Sequence, residues 1–428
     1  MRLDGKTIVV GLSGGIACYK AVDVVRLLRA DGARVRVVMT RGACQFVTPL
    51  TLQTLAGEPV STDLFDLTQE SEIGHIRLAD SADAIIVAPA TANLIGRAAG
   101  GLGDDLLSTV LLATRAPVLL APSMNVHMWE NPLVQANLTR LRALGWGVVE
   151  PGVGVLACGY EGAGRLAEPA VIVAEVARAV GGGDLRGEHV LVTAGPNREP
   201  LDPVRFLSNR STGRMGYAVA AAAWRRGAAV TLISGPTALS APHGVRCVRV
   251  GTAAEMHAAV LSEFDAATML VMAAAVADYR PATVARQKVK KGRAPLRLDL
   301  ERTVDILADL RGRAGDRLMV GFAAETEQVL ANATRKLRGK GLDLIVANDL
   351  TAPGAGFEVD TNAVTLIDAG GRVAVPLASK DAVADRILDR ALVLRRARQA
   401  PRRRTAASAP AARLRRRPRP IAPPAGGC

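Results

Sequence analysis

Apolar residues along this chain fall into two rhythms. Short, nearly continuous Val/Ile/Leu runs such as KTIVVGLS (6–13), RVRVVMT (34–40), ADAIIVAPA (82–90), APVLLAPSM (116–124) and GWGVVEP (145–151) alternate with stretches of helical spacing such as GIACYKAVDVVRLLRADG (15–32). Runs without polar alternation predict strands buried on both faces, and helices between them predict a parallel sheet covered on both sides. Near residue 181 the rhythm stops, and the glycine-rich GGGDLRGE (181–188) reads as a linker. It restarts with HVLVTAGP (189–196), a helix through MGYAVAAAAWRRG (215–227), AVTLISGP (229–236), ATMLVMAAAV (267–276) and DLIVAND (343–349). The pattern predicts two doubly wound α/β domains, over 1–180 and 188–394 with a linker at 181–187, each expected to bind its ligand at the carboxyl ends of its strands.

Composition adds constraints. Aromatic residues are only 3% of the chain, so cores of this size must be aliphatic and alanine-rich. The cysteines, Cys18, Cys44, Cys158, Cys247 and Cys428, are odd in number and form no CxxC pair. That argues against a disulfide framework or a structural zinc site and for a reducing compartment. The first apolar run is broken by Ser13, Gly14 and Gly15, as for a strand entering a loop rather than a signal peptide. No run approaches the ~20 residues that span a bilayer, so the expectation is a soluble, cytoplasmic protein. The net charge of +14 would suggest a nucleic-acid binder, but eleven arginines and no acidic residue lie between Arg395 and Cys428. Subtracting them leaves +3 for residues 1–394. The Arg/Pro/Ala-rich end has no apolar periodicity and is predicted to be a disordered tail over 395–428.

Candidate chemistry gathers at strand ends. GLSGGIACYK is neither a dinucleotide fingerprint nor a GxxxxGK[ST] loop. It leaves Ser13, Gly14 and Gly15 at a helix start, where backbone N–H groups and a hydroxyl can hold one phosphate, although an ordinary tight turn would read the same way. Thr40 ends the second strand run; Thr91, Ser108 and Thr109 follow the third; Asn125 follows the fourth. His75 stands in a GHI triplet, and Cys158 is a lone thiol in GVLACGYEGAGRLAEP, too glycine-rich to pack as core.

These motifs resemble a known family. GLSGGIACYK, GHIRLAD, APATANLIGRAAGGLGDDLLST, PSMNVHMW and ACGYEGAGRLAEP resemble flavin-dependent phosphopantothenoylcysteine decarboxylases. TAGPNREPLDPVRFLSNRSTGRMG, AAAVADYRP, KVKK, GFAAET and DLIVAND resemble phosphopantothenate–cysteine ligases. The order is that of the bifunctional coenzyme A biosynthesis enzymes of bacteria, over residues 1 to about 392. The resemblance implies a flavodoxin-like decarboxylase domain, a Rossmann-like ligase domain, FMN as cofactor, and CTP with Mg2+ for ligation. FMN rather than FAD also suits a single phosphate loop. The substrate carboxylate has no adjacent electron sink, so the thiol-bearing carbon must first be oxidised, and the flavin takes that hydride. Cys158 then matches the proton donor of the final reduction, His75 a histidine of the oxidative half, and Asn125 the binder of the substrate carboxylate. A thiol with a reference pKa near ~8.5 keeps its proton at neutral pH.

In the second half Asn209 matches the residue that binds the acyl-cytidylate, and Lys288 the catalytic lysine. Ala274, Asp278, Lys288, Thr303, Val304, Asp305, Ile306, Phe322, Lys336 and Lys340 match nucleotide-binding positions. No pattern assigns a metal site. Arg214 replaces a lysine common in the family, and Val304 a proline, which puts nucleotide affinity in question. The resemblance also implies a homo-oligomer, a dodecamer of trimeric flavin domains and ligase dimers. Relatives that decarboxylate peptide cysteines, transfer prenyl groups to flavin or inhibit phosphatases share the first half, but none explains the second.

Overall fold

A computed structural model describes residues 3–65, 74–155, 159–291 and 296–399. The first half is built on five parallel strands, β1 (Thr7–Leu12), β2 (Arg34–Met39), β3 (Ala84–Ala90), β4 (Val118–Pro122) and β5 (Gly147–Val148), in the order β2-β1-β3-β4-β5. This is the flavodoxin-like order, and its switch point lies between β1 and β3. Helices α1 (Cys18–Ala30), α2 (Pro49–Ala56), α3 (Gly74–Ser81), α4 (Ala92–Gly100), α5 (Leu106–Ala113), α6 (Val126–Trp129), α7 (Pro132–Ala143) and α8 (Pro169–Val180) accompany it. Aliphatic clusters cover both faces of the sheet: Val24, Val25 and Leu28 of α1 with Ile172 and Val176 of α8 on one, Leu94, Leu107 and Val110 of α4 and α5 on the other. A separate antiparallel hairpin, β6 (Gly152–Val155) and β7 (Glu161–Arg165), leaves the sheet after β5.

The second half has one sheet of eight strands. In chain order they are β8 (His189–Ala194), β11 (Ala229–Ser234), β12 (Arg246–Arg249), β13 (Met269–Met272), β16 (Leu318–Glu325), β17 (Leu344–Asp349), β18 (Thr361–Asp368) and β19 (Gly371–Ser379). Two small antiparallel pairs, β9 (Glu199–Pro200) with β10 (Phe206–Leu207) and β14 (Tyr279–Pro281) with β15 (Leu300–Arg302), stand apart from it. The spatial order β12-β11-β8-β13-β16-β17-β18-β19 is parallel as far as β17 and antiparallel beyond. Its parallel part is the Rossmann order, with the switch point between β8 and β13. The helices are α9 (Arg214–Arg225), α10 (Ala253–Phe264), α11 (Ile306–Leu310), α12 (Val329–Lys340) and α13 (Lys380–Gln399). Alanines let α9 lie close between sheet and α13. At Gly216 a Cβ would meet the Ala194 Cβ at 2.6 Å, so only glycine brings the start of α9 onto the end of β8.

Two expectations change. The predicted linker is docked: Leu185 is fully buried in the second core, and Asp184 pairs with Arg226 at 2.5 Å. The predicted tail begins too early, because α13 continues through Gln399. Arg395 is buried, pairs with Glu188 at 3.2 Å and donates to the Asp316 carbonyl at 2.5 Å. Those acceptors lie far away in sequence, so the arginine run gave no sign of them. Residues 400–428 lie outside the described residues.

The halves meet through α8 and α9. The Arg178 guanidinium sits 4.6 Å from the Trp224 ring centroid and donates to the carbonyls of Trp224 and Gly227. Glu175 pairs with His243 at 2.8 Å, and the His243 ring meets Trp224 edge-on at 5.1 Å. No helix among the described residues is long and apolar enough to cross a membrane.

Candidate active sites

The ends of β1, β2 and β3 converge on one crevice. Ser13 is buried, and its hydroxyl donates to the Pro89 carbonyl at 2.8 Å and accepts from the Thr91 N–H at 2.9 Å. The Ser13 and Thr91 hydroxyls lie 3.0 Å apart. A Cβ on Gly14 would come within 2.9 Å of the Gly42 backbone, so the loop after β1 and the loop after Thr40 form one wall. The N–H groups of Gly14, Gly15 and Ile16 have no acceptor among the described residues. Orphan donors at a helix start, beside hydroxyls, suit a phosphate monoester. Ser108 and Thr109 lie in the first turn of α5. Ser108 forms a capping box with Asp105, and Thr109 donates to the Asp105 carbonyl at 2.8 Å, so both hydroxyls are engaged in their own helix start.

Asn125 caps α6 by accepting from the His127 N–H at 2.8 Å. The β6–β7 hairpin lies directly against it. Gly164 has φ +145°, and a Cβ there would meet the Met124 carbonyl oxygen at 2.3 Å; one on Gly162 would meet Val126 at 2.7 Å. Gly164 therefore allows backbone-to-backbone contact beside Asn125, and Gly162 makes room for the Val126 side chain. Cys158 belongs to the connection of this hairpin and lies outside the described residues. His75 is half-buried at the start of α3.

The second crevice is a cavity of about 560 Å³ at the Rossmann switch point. Nine of the ten nucleotide candidates line it: Ala274 and Asp278 after β13, the stretch 303–306, Phe322 on β16, and Lys336 and Lys340 on α12. Lys340 pairs with Asp305 at 2.9 Å. Burial opposes ionisation of that carboxylate, but Lys340 and the Ala308 N–H together hold it below its ordinary value. Lys336 donates to the Phe322 carbonyl at 2.7 Å; burial first, then Lys340, pushes its ammonium below the usual lysine range. The tenth candidate, Lys288, is exposed and outside the lining. Asn209 is also outside it, but donates to the carbonyl of Ala275, a lining residue, at 2.7 Å.

Lys380, Thr212 and Asn348 at this cavity escape sequence reasoning. Lys380 is buried at the start of α13 and donates to the Gly356 carbonyl at 2.9 Å and to those of Phe357 and Val359. Thr212 donates to the Phe357 carbonyl at 2.6 Å, and Arg214 to the Glu358 carbonyl at 2.8 Å and to Asp360 at 2.9 Å. The loop after β17 is thus pinned across the cavity to the segment that starts α9. Both bonds leave the same Arg214 nitrogen, Nη1, so the residue serves that loop as one charged donor shared between two acceptors. Asn348 lines the cavity with a buried Oδ1 that has no partner among the described residues, an acceptor that a ligand donor would satisfy.

Comparison with known proteins adds the following. Residues 1–181 match the family model described as Flavoprotein, and 185–394 that described as DNA/pantothenate metabolism flavoprotein C-terminal domain. The coenzyme A biosynthesis bifunctional protein CoaBC of Bacillus subtilis is 49% identical over 395 residues, covering 90% of this chain and 96% of the relative. That of Escherichia coli K12 is 47% identical, covering 91% and 97%. A solved C-terminal domain of a protein of the same description is 42% identical, with a TM-score of 0.43 over 50% of this chain and 97% of the domain.

Proposed function

Since the chain belongs to the family of bifunctional coenzyme A biosynthesis proteins, it is a two-activity enzyme, a phosphopantothenate–cysteine ligase joined to a phosphopantothenoylcysteine decarboxylase, and we propose that its two crevices divide the work. The observation that carries this reading is the cavity at the second switch point, lined by nine of the ten candidate nucleotide residues, which come from four distant stretches of the chain.

In the ligase half a carboxylate oxygen of 4'-phosphopantothenate attacks the α-phosphorus of CTP and expels pyrophosphate. The amine of cysteine then attacks the activated acyl carbon, loses a proton and expels CMP. Lys336 and Lys340 neutralise the triphosphate, Phe322 packs on the base, and Asp278 and residues 303–306 wall the nucleotide. Lys288 offsets charge developing during the first attack, and Asn209 holds the acyl-cytidylate. Among the described residues no cluster of three or more His, Cys, Asp or Glu is arranged to cage a metal ion, so Mg2+ enters held by the triphosphate.

In the decarboxylase half Ser13, Gly14, Gly15, Thr40 and Thr91 hold the FMN phosphate, with Ser108 and Thr109 forming the wall beside them. Bound there, FMN supplies reversible hydride acceptance from the thiol-bearing carbon. Asn125 binds the substrate carboxylate without a positive charge, which would stabilise that group and oppose its loss. His75 assists the oxidative step, and Cys158 donates the proton that completes reduction. The buried Leu185 supports a ligase half that begins at or before 185, after a flavin half of 1–180. Exposed apolar side chains beside the flavin crevice, among them Ile16, Tyr19, Phe46 and Met128, support completion of that site by further copies in a homo-oligomer, a dodecamer. Free thiols at Cys18, Cys44 and Cys247 suit a cytoplasmic enzyme.

The test supplies the purified protein with 4'-phosphopantothenate, cysteine, CTP and Mg2+. Phosphopantetheine, CMP and pyrophosphate should appear in equal amounts, from a protein that releases FMN on denaturation. CMP without decarboxylated product, or decarboxylation of supplied phosphopantothenoylcysteine without ligation, would remove one of the two assignments.

A further inference from the structure

Lys288 stands on an exposed segment outside the nucleotide cavity, which raises the question of what holds it in place. Among the described residues, every hydrogen bond that ties residues 283–291 to the rest of the fold ends on one turn, 201–205, between β9 and β10. Ala285 N–H donates to the Leu201 carbonyl at 3.0 Å, three residues before Lys288. Val289, one residue after it, donates its N–H to Asp202 Oδ2 at 3.1 Å and accepts from Arg205 Nη2 at 2.9 Å. The Asp202 side chain is fully buried. Its Oδ1 accepts from the N–H groups of Val204 at 2.8 Å and Arg205 at 2.9 Å, and its Oδ2 from Arg205 Nε at 3.0 Å and Nη2 at 2.6 Å. Five donors thus converge on one carboxylate, an arrangement that only an ionised acceptor satisfies. Four residues beyond Arg205 the same hairpin delivers Asn209.

We propose that Asp202 is the positioning residue for Lys288: it clamps the lysine-bearing segment to the hairpin that carries Asn209, and so sets the two residues against one acyl-cytidylate. The inference rests on the ligase reading of Lys288 above. The carboxylate lies in a turn, away from the cavity lining, and acts through the backbone of Val289. Loss of the clamp should therefore lower the rate of activation and leave CTP binding largely intact, because the cavity residues are untouched. Misplacement of a catalytic group by about an ångström costs up to ~100-fold in rate.

The experiment uses the full chain and follows pyrophosphate release from CTP and phosphopantothenate without cysteine. Asp202→Asn, which turns one acceptor into a donor facing donors, should lower kcat by roughly tenfold or more while KM for CTP changes by less than about threefold. Val289→Pro deletes the tethering N–H at an exposed position, leaves the turn intact and should have the same effect, so the test survives poor folding of the Asp202 variant. Both variants should open tryptic cleavage between Arg286 and Lys291, and both should still decarboxylate supplied phosphopantothenoylcysteine. Combining Asp202→Asn with Lys288→Gln should cost no more than Lys288→Gln alone. Multiplying losses, or full activity in the Asp202 and Val289 variants beside a slow Lys288→Gln, would overturn the clamp. Full activity in Lys288→Gln would overturn the reading beneath it and the clamp together.

Discussion

Lys336 is an ammonium held where burial and the nearby Lys340 both disfavour its charge, next to a cavity that receives a polyanion. Its folded-state value lies below that of the unfolded chain. In the empty protein, stability therefore rises as pH climbs through the interval between the two. A bound triphosphate favours the charged form and opposes that trend. CTP should thus bind more weakly as pH rises, with the decline starting below the ordinary lysine value of ~10.4. Lys336→Arg stays charged throughout and should flatten the alkaline limb of KM for CTP, measured from about pH 7 to pH 10. The same alkaline rise in the arginine variant would put the titrating group elsewhere. At this scale the sequence was partly legible. Ser13, Thr40 and Thr91 stand out as polar groups at strand ends, and the structure assembles Ser13 and Thr91 at one hydrogen-bonded corner. Ser108 and Thr109 carry the same sequence signal but also serve as helix-capping hydroxyls. Asp202 and Lys380 gave no signal, because what a buried charge faces is decided by chain segments tens of residues away.

Among the elements, α13 shows how a helix can outrun its sequence pattern. Apolar spacing ends near Leu394, yet the helix continues because Arg395 reaches Glu188 and Asp316, and Arg398 reaches Asp343 and the Arg317 carbonyl. Deleting 400–428 should leave the melting temperature and both activities unchanged. Deleting 395–428 should leave the half-buried Glu188 without its partner, at a cost of about 1–3 kcal/mol. For a domain of this size that lowers the ligase melting transition by roughly 2–10 °C, while the flavin transition stays in place. Scanning calorimetry of the two truncations checks this, and equal melting would mean that Arg395 contributes nothing. Most of the buried parallel strands were legible because apolar runs declare them; β16 was not, because Gly321 cuts its apolar run to Leu318–Val320. The pairs β6–β7, β9–β10 and β14–β15 were not: they are two to five residues long, lie off the main sheets, and contain glycine or charge where a strand pattern would need apolar alternation.

For the molecule as a whole, the topological order of each half sets one crevice at one switch point, and α8 joins the halves. It buries Ile172 and Val176 against α1, whose start is the phosphate loop, and meets α9, whose start lies beside the nucleotide cavity. The connection that follows α8 is pinned by Leu185 and Asp184 rather than left free. This docked linker has a kinetic consequence. A half that cannot swing cannot carry a covalently free intermediate to its neighbour, so phosphopantothenoylcysteine must escape into solvent and be recaptured. Phosphopantetheine should then appear after a lag that shortens as enzyme concentration rises, and excess unlabelled phosphopantothenoylcysteine should dilute label supplied as cysteine. Label that resists dilution would show private transfer between the crevices. Fusion in one chain then keeps the two activities in fixed proportion without channelling what passes between them.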